Sequence, residues 1–352
     1  MDKKQMKIGV INNNNLSLLD FYKQNYDVLR TPDFKDSTRL LKPEHRIKFL
    51  GNPNQKTCRF CGKSEPATSF KKIAHAFPES IGNKALATYY ECDACNDFFG
   101  RTIEGDYGKF FGLYHAIMMI TGKDGKKKCN FKISCDKRTD QCREYCVCIS
   151  LNDNLPCINA CREVGKDIID LKTDSLTISA PVGKCCPIAV FKTFVKMAIT
   201  VMPVEEVNGF SRAIEWILKP EHKNFYKKKP LLIKYQMIPG FNVTKYPHFV
   251  LYRRKRDVWN VPYMLFNLTY GCFSLLVEVP WNGEDRDAVD SSMFERIPFP
   301  PIPFHISQNG IWDMSGTEVP KGIKHSINLY VGKMQQFDAD RVELKDGKPV
   351  IK

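Results

Sequence analysis

Cys58-x-x-Cys61 and Cys92-x-x-Cys95 form two pairs separated by thirty residues. Each pair can present two thiolates from one tight turn, and two such turns close the tetrahedral four-sulfur shell that structural zinc prefers. Gly62, directly after the first pair, lets backbone amides turn toward the sulfurs. Four unligated core cysteines are the plainer alternative, and a redox pair is disfavoured because neither Cys-x-x-Cys sits in a βαβ context. The chain has 14 cysteines, and its first residues, MDKKQMKIGVINNNN, hold no apolar core of a secretory leader. Such cysteines point to metal ligation or buried thiols before disulfides.

Between the pairs, KKIAHAFPESIGNK carries His75, Pro78 and a Gly-Asn turn at Gly82 and Asn83, and Asn96 follows Cys95 directly in CDACNDFFGRTIEG. Hydrolysis of a phosphodiester needs a water deprotonated near neutral pH and a cation beside the leaving oxygen. A histidine suits the first task and a hard divalent ion the second. A lone histidine among apolar residues is more often a packed, hydrogen-bonded side chain, and an asparagine at a helix start is equally a cap.

In this order the residues resemble the HNH nuclease family, in the subgroup whose ββα-metal finger is braced by a four-cysteine zinc. The elements are Cys-x-x-Cys, then His75-Ala76-Phe77-Pro78, a Gly-rich turn, Cys-x-x-Cys-Asn, and a helix carrying Phe99, Gly100, Ile103 and Glu104. The resemblance covers about sixty of the 352 residues. It implies that His75 is the general base, that Asn96 is a ligand of a catalytic Mg²⁺ or Mn²⁺, and that Asn83 fixes the loop carrying the histidine. It assigns the zinc of Cys58, Cys61, Cys92 and Cys95 a bracing role only.

One position departs from the family. The residue before the base is usually Asp, Glu or His and is the other protein ligand of the catalytic metal, whereas here it is Ala74. Glu104 is the first candidate substitute, matching the Ile-Glu of the subgroup. Eight residues beyond Asn96, it shares a helix face with that residue but stands about 12 Å further along the axis, unless the helix breaks at Gly100. Glu79 and Asp97 are the other nearby carboxylates.

These residues need elements to hold them. Residues 1–55 read as a polar leader with one short helix around Leu16, Leu19, Phe21 and Tyr22. Residues 56–120 read as the zinc-braced finger, and the basic loop GKDGKKKCNFK opens a separate unit over 121–352. There REYCVCISL and TDSLTISAPV alternate as strands, and KPLLIKYQMI, HFVLYRRKRDVW, YMLFNLTY and CFSLLVEVPW are apolar and β-branched between turn residues. Ile188, Phe191, Phe194, Val195, Ala198, Val201 and Met202 follow helical spacing with Lys192 and Lys196 on the other side, which predicts an amphipathic helix ending at Pro203. FSRAIEWIL predicts one more helix, and FERIPFPPIPF is too proline-dense for either element. The fold class expected is α+β: a small zinc-braced ββα-metal finger with a larger α+β domain of unknown type, the latter a candidate for positioning DNA or for regulation.

With 53 Lys and Arg against 39 Asp and Glu, the net charge is +14, which suits a polyanionic partner. Residues 56–115 hold eight basic and seven acidic residues, so +13 of the charge lies outside the finger. Lys126, Lys127, Lys128, Arg253, Arg254 and Arg256 are candidate phosphate contacts, although a charge run is commonly a solvated face. Seven cysteines from Cys129 to Cys161 could make a second metal site or be buried thiols. No apolar run reaches the roughly 18 residues of a membrane span, so a cytoplasmic protein without membrane contact is expected.

Free-standing HNH proteins of this size resemble bacterial restriction and phage-defence nucleases. The leading expectation is therefore a metal-dependent endonuclease acting on DNA, with RNA as an alternative substrate. The rival is a zinc-braced nucleic-acid-binding module that has lost catalysis, with Ala74 as the mark of the loss.

Overall fold

The computed structural model describes residues 18–29, 47–120, 131–134, 145–152, 155–160, 169–171, 175–223, 229–238, 244–285, 291–302, 306, 308–321, 323–330, 342–345 and 348–351. The amphipathic start folds as α1 (Leu18–Asn25), whose Tyr22 is buried, and runs into β1 (Tyr26–Leu29).

The cysteine-bearing segment follows. β2 (Lys48–Leu50), β3 (Ala74–His75) and β4 (Leu86–Thr88) form a sheet in the order β2-β4-β3. β4 runs parallel to β2 and antiparallel to β3, so that His75 lies opposite Ala87. α2 (Asp93–Thr102) completes a ββα arrangement and is followed by α3 (Glu104–Phe110) and α4 (Gly112–Ile117). The helical run turns at Ile103 (φ −119°), not at Gly100. Ile103 is fully buried, so its side chain joins the core where the two helices meet.

Among the described residues, three short sheets and one large one make up the rest. β5 (Phe131–Ser134), β6 (Tyr145–Asn152) and β7 (Leu155–Ala160) are antiparallel neighbours, and β8 (Ile169–Leu171) pairs with β9 (Ser175–Pro181). α5 (Pro187–Val201) begins with a proline, whose missing N–H costs nothing at a first turn. α6 (Val204–Val207) and α7 (Ser211–Leu218) follow, then β10 (Leu232–Met237), β11 (Thr244–Arg254), β12 (Met264–Gly271) and β13 (Phe273–Glu278). α8 (Ser291–Arg296), β14 (Gln308–Asp313), β15 (Lys324–Tyr330), β16 (Val342–Lys345) and β17 (Lys348–Ile351) close the order. The large sheet is antiparallel throughout, in the order β1-β11-β12-β13-β10-β14. Every residue of β12 and β13 is buried, the polar Asn267, Thr269, Ser274 and Glu278 among them. Helices and sheets thus combine in the α+β manner expected.

α5 differs from its sequence reading. All fifteen of its residues are buried, including Lys192 and Lys196, which periodicity placed opposite the apolar stripe. The Lys192 ammonium donates to the Lys219 and Glu221 carbonyls at 2.7 and 3.2 Å, while Lys196 reaches carboxylates of the ββα segment. Long lysine stems can cross apolar surface to distant acceptors, so a polar stripe on a helix need not face water.

One hydrophobic cluster joins the two halves of the chain. Phe60, Phe77 and Phe99 of the ββα segment share it with Phe191 and Phe194 of α5 and with Phe266 of β12. Phe77 packs edge-on to Phe249 of β11, with ring centroids 5.3 Å apart, and the Tyr107 hydroxyl donates to the Tyr270 hydroxyl at 2.9 Å. No helix among the described residues is long and apolar enough to cross a membrane.

Candidate active site and metal centre

The first cysteine turn is closed by backbone bonds. The Gly62 amide donates to the Cys58 carbonyl and the Cys58 amide to the Lys63 carbonyl, both at 2.9 Å, with Gly62 at a φ of +71° that a side chain would strain. The second turn is the start of α2: Cys92 caps the helix, and Cys95 lies on its first turn. The four sulfurs all lie within 4.8 Å of one another. Cys61 Sγ and Cys92 Sγ are 3.7 Å apart. Zinc–sulfur bonds of about 2.3 Å at tetrahedral angles require sulfurs about 3.8 Å apart, so the set fits one zinc. Four sulfurs leave no open position, which makes the site structural.

Electrostatics favour a cation there. A hydrogen bond with Cys95, opposed by burial and helped by the Cys61, Cys92 and Phe60 amides, pulls the Cys58 thiol down to about 5. The Cys95 thiol is pushed up by the same bond to Cys58, by burial and by the charges of the other three cysteines. Four crowded sulfurs cannot all ionise without a metal to absorb the charge.

His75 stands on β3 with its side chain one-fifth exposed. Its Nδ1 is buried, while Nε2 lies 3.5 Å from Glu79 Oε1. Glu79 opens a single 3₁₀ turn, Glu79–Ile81, closed by Gly82 at φ +87°. Asn83 is fully buried beside it and binds three backbone groups: its amide donates to the Phe77 and Leu86 carbonyls at 3.0 and 2.9 Å, and its oxygen accepts from the Leu86 amide at 3.0 Å. That places Asn83 as a clamp across the loop between β3 and β4. Asn83→Ala removes the clamp and leaves buried groups unpaired, and is expected to lower stability by about 1–3 kcal/mol in denaturant titration.

Asn96 is the fourth residue of α2 and half-buried, so the cap alternative gives way: Cys92 holds that position. Of the three carboxylates weighed against Ala74, two are engaged. Both oxygens of Asp97 accept from Lys72 at 2.7 Å, and Glu104 is 3.2 Å from the Lys196 ammonium. Glu79 is the one beside the histidine. Ala74 itself is 1% exposed, its methyl turned into the core.

Several groups escaped the sequence reading. Asp93 opens α2 and accepts from the Ser69 hydroxyl at 2.6 Å and from the Lys71 and Lys72 amides at 3.1 and 2.9 Å, tying the approach to β3 onto the helix of Asn96. Burial opposes its charge, yet these donors hold its carboxyl below the ordinary range. Glu91, next to Cys92, is fully buried, and burial pushes its carboxyl up to about 7 against the pull of Lys196. An acid beside a metal ligand is a signal the sequence offered; its lysine partner, 105 positions on, is not.

The basic residues divide. Arg254 is buried, donating to the Val261 and Glu284 carbonyls and to Asp285, and Arg253 is paired with Glu206 at 2.7 Å and Asp27 at 3.0 Å. Arg256 is exposed, near the exposed Trp259. Lys126, Lys127 and Lys128 lie outside the described residues, as do the side chains of the Cys129 to Cys161 group.

The family model of HNH endonucleases matches residues 58–111. No curated protein and no solved structure matches the chain. Residues 58–111 are thus similar to HNH endonucleases, a family that acts on nucleic acid, and the four cysteines within them could hold one metal ion.

Proposed function

We propose that the chain is a divalent-metal-dependent endonuclease that hydrolyses DNA phosphodiesters with His75 as general base, in bacterial defence or restriction. The observation that carries this reading is the placement of His75: on the short strand of a ββα arrangement, its outward nitrogen beside a carboxylate. Nε2 is the nitrogen a water can reach, since Nδ1 is buried. Glu79, 3.5 Å away, stabilises the imidazolium that forms when the water gives up its proton. Asn83 and Asp93 hold the strand and the helix in register, which fixes the direction of attack.

A Mg²⁺ or Mn²⁺ ion supplies charge neutralisation at the scissile phosphate when bound. Such ions take one or two protein oxygens and complete their shell with phosphate and water, so Asn96 with one carboxylate is a sufficient protein set. Glu79 is the carboxylate this geometry favours, Glu104 being engaged by Lys196. Asn96→Ala is expected to lower cleavage about 10–100-fold and to raise the metal concentration needed for half-maximal rate. An unchanged metal titration would count against the ligand role.

The unit beyond the finger holds most of the positive charge and is assigned the gripping of DNA, with Arg256 and Trp259 as exposed contacts. One observation favours the rival reading of a binding module without catalysis: the buried methyl of Ala74 cannot hold a metal. Cleavage by wild type but not by His75→Ala, assayed on duplex DNA and on RNA in parallel, separates the readings and fixes the substrate.

A further inference from the structure

Lys196 lies on α5, 85 positions beyond the end of the segment that matches the family. Its side chain is 1% exposed. The ammonium has three donors and faces three acceptors: Glu91 Oε2 at 2.9 Å, Glu104 Oε1 at 3.2 Å and the backbone carbonyl of His75 at 3.4 Å. The Phe99 ring covers it, with the ammonium 5.7 Å from the centroid. The contact with Glu91 is an ion pair by distance, off the angle of a good hydrogen bond, because the same ammonium also serves the other two acceptors.

The attachment is reciprocal. Arg59, inside the first cysteine turn, donates to the Ile199, Thr200 and Met202 carbonyls at 2.8, 3.2 and 2.6 Å while stacking on Tyr90. These are the carbonyls that the end of α5 leaves without helical partners. A cation from the zinc knuckle thus closes the helix, and a cation from the helix enters the acidic floor behind the histidine.

We propose that Lys196 is a positioning residue for His75: its ammonium, anchored by Glu91 and Glu104, holds the backbone of the two-residue strand that aims the imidazole, so that the HNH segment is complete only with α5 in place. The inference rests on the reading of His75 as the base. β3 is two residues long and pairs on one side only, with β4, and Asn83 and Asp93 tie the chain on either side of it; Lys196 reaches the backbone of the strand itself. Burial works against the charge of Lys196, yet Glu91 and Glu104 hold its pKa above the ordinary lysine value, so the ammonium stays charged at the pH of cleavage.

The test compares Glu91→Gln with the double variant Glu91→Gln/Lys196→Met in the full-length chain. Lys196→Met alone leaves Glu91 buried and unpaired and is apt to unfold the segment, whereas the double variant removes both charges together. Zinc content and thermal midpoint report folding. For DNA cleavage, the double variant should show kcat about 10–100-fold below Glu91→Gln with KM within about twofold, the pattern of a displaced reacting group. Independently of activity, the His75 ring resonance in ¹³C-histidine-labelled protein, assigned by its loss in His75→Ala, should move between the two variants while zinc stays at one per chain. Equal kcat values and an unmoved resonance would overturn the proposal and leave Lys196 a counter-ion. If no variant, wild type included, cleaves nucleic acid, the base reading fails, and the resonance alone then decides whether Lys196 sets the His75 environment.

Discussion

Replacing Cys92 by Ser is expected to strip the zinc from the protein and to unfold the ββα segment. Cys92 is at once a sulfur of the cluster, the cap of α2 and a fully buried member of the hydrophobic core. A structural zinc in a small domain contributes on the order of 10 kcal/mol of binding free energy, and in a segment with two- and three-residue strands that energy is folding energy. The loss should not stay local. Phe60 and Phe99 share one cluster with α5 and the large sheet, so exposing them loosens the core beyond the finger. Metal analysis should fall from one zinc per chain to none, and the thermal midpoint should drop with a broadened transition. Chelation of the wild type should reproduce the effect, and readdition of zinc should reverse it. A zinc-free wild type that is fully folded would contradict the account of the cysteines.

How the site could be seen in the sequence differs from residue to residue. The four cysteines were legible because a metal shell is encoded locally: each Cys-x-x-Cys is one turn, and only the two turns have to meet. His75, Asn83 and Asn96 were singled out as an ordered pattern within forty residues; they lie on a strand, across the following loop and on the helix of one ββα arrangement, and their roles in cleavage are proposals. Lys196, Glu91, Arg59 and Asp93 were not. Their roles depend on pairings between segments, and helical periodicity says which face of α5 is apolar but not what covers the other face. Lys192 and Lys196 were placed on the side opposite the apolar stripe, and both are buried. Arg254 was a candidate phosphate contact through its neighbours in YRRKR, with a solvated face as the alternative, yet its guanidinium is closed in by Asp285 and two carbonyls. The α+β class and the strands of the large sheet were legible because apolar β-branched runs between turns have few alternatives. Their order, β1-β11-β12-β13-β10-β14, joins strands from opposite ends of the chain and has no local signature.

The second large effect belongs to His75. His75→Ala is expected to reduce cleavage by about 10²–10⁴-fold while zinc content stays near wild type. The imidazole is four-fifths buried, so its truncation carries a modest stability cost, while the four sulfurs that hold the zinc are untouched. Glu79→Gln should lower cleavage and raise the metal concentration needed for half-maximal rate, since the carboxylate 3.5 Å from Nε2 is lost both to the imidazolium and to the metal shell. Loss of zinc in His75→Ala would mean that the histidine is a packing residue whose removal disturbs the finger.

The most direct test of the central claim is plasmid cleavage by wild type and His75→Ala side by side, with Mg²⁺, Mn²⁺ or chelator, at low salt so that the electrostatic part of DNA binding is retained. Nicking or linearisation by the wild type with either metal, abolished by chelator and by the substitution, is the predicted result. Equal cleavage by both proteins, or DNA binding by both with no cleavage under any metal, would contradict it.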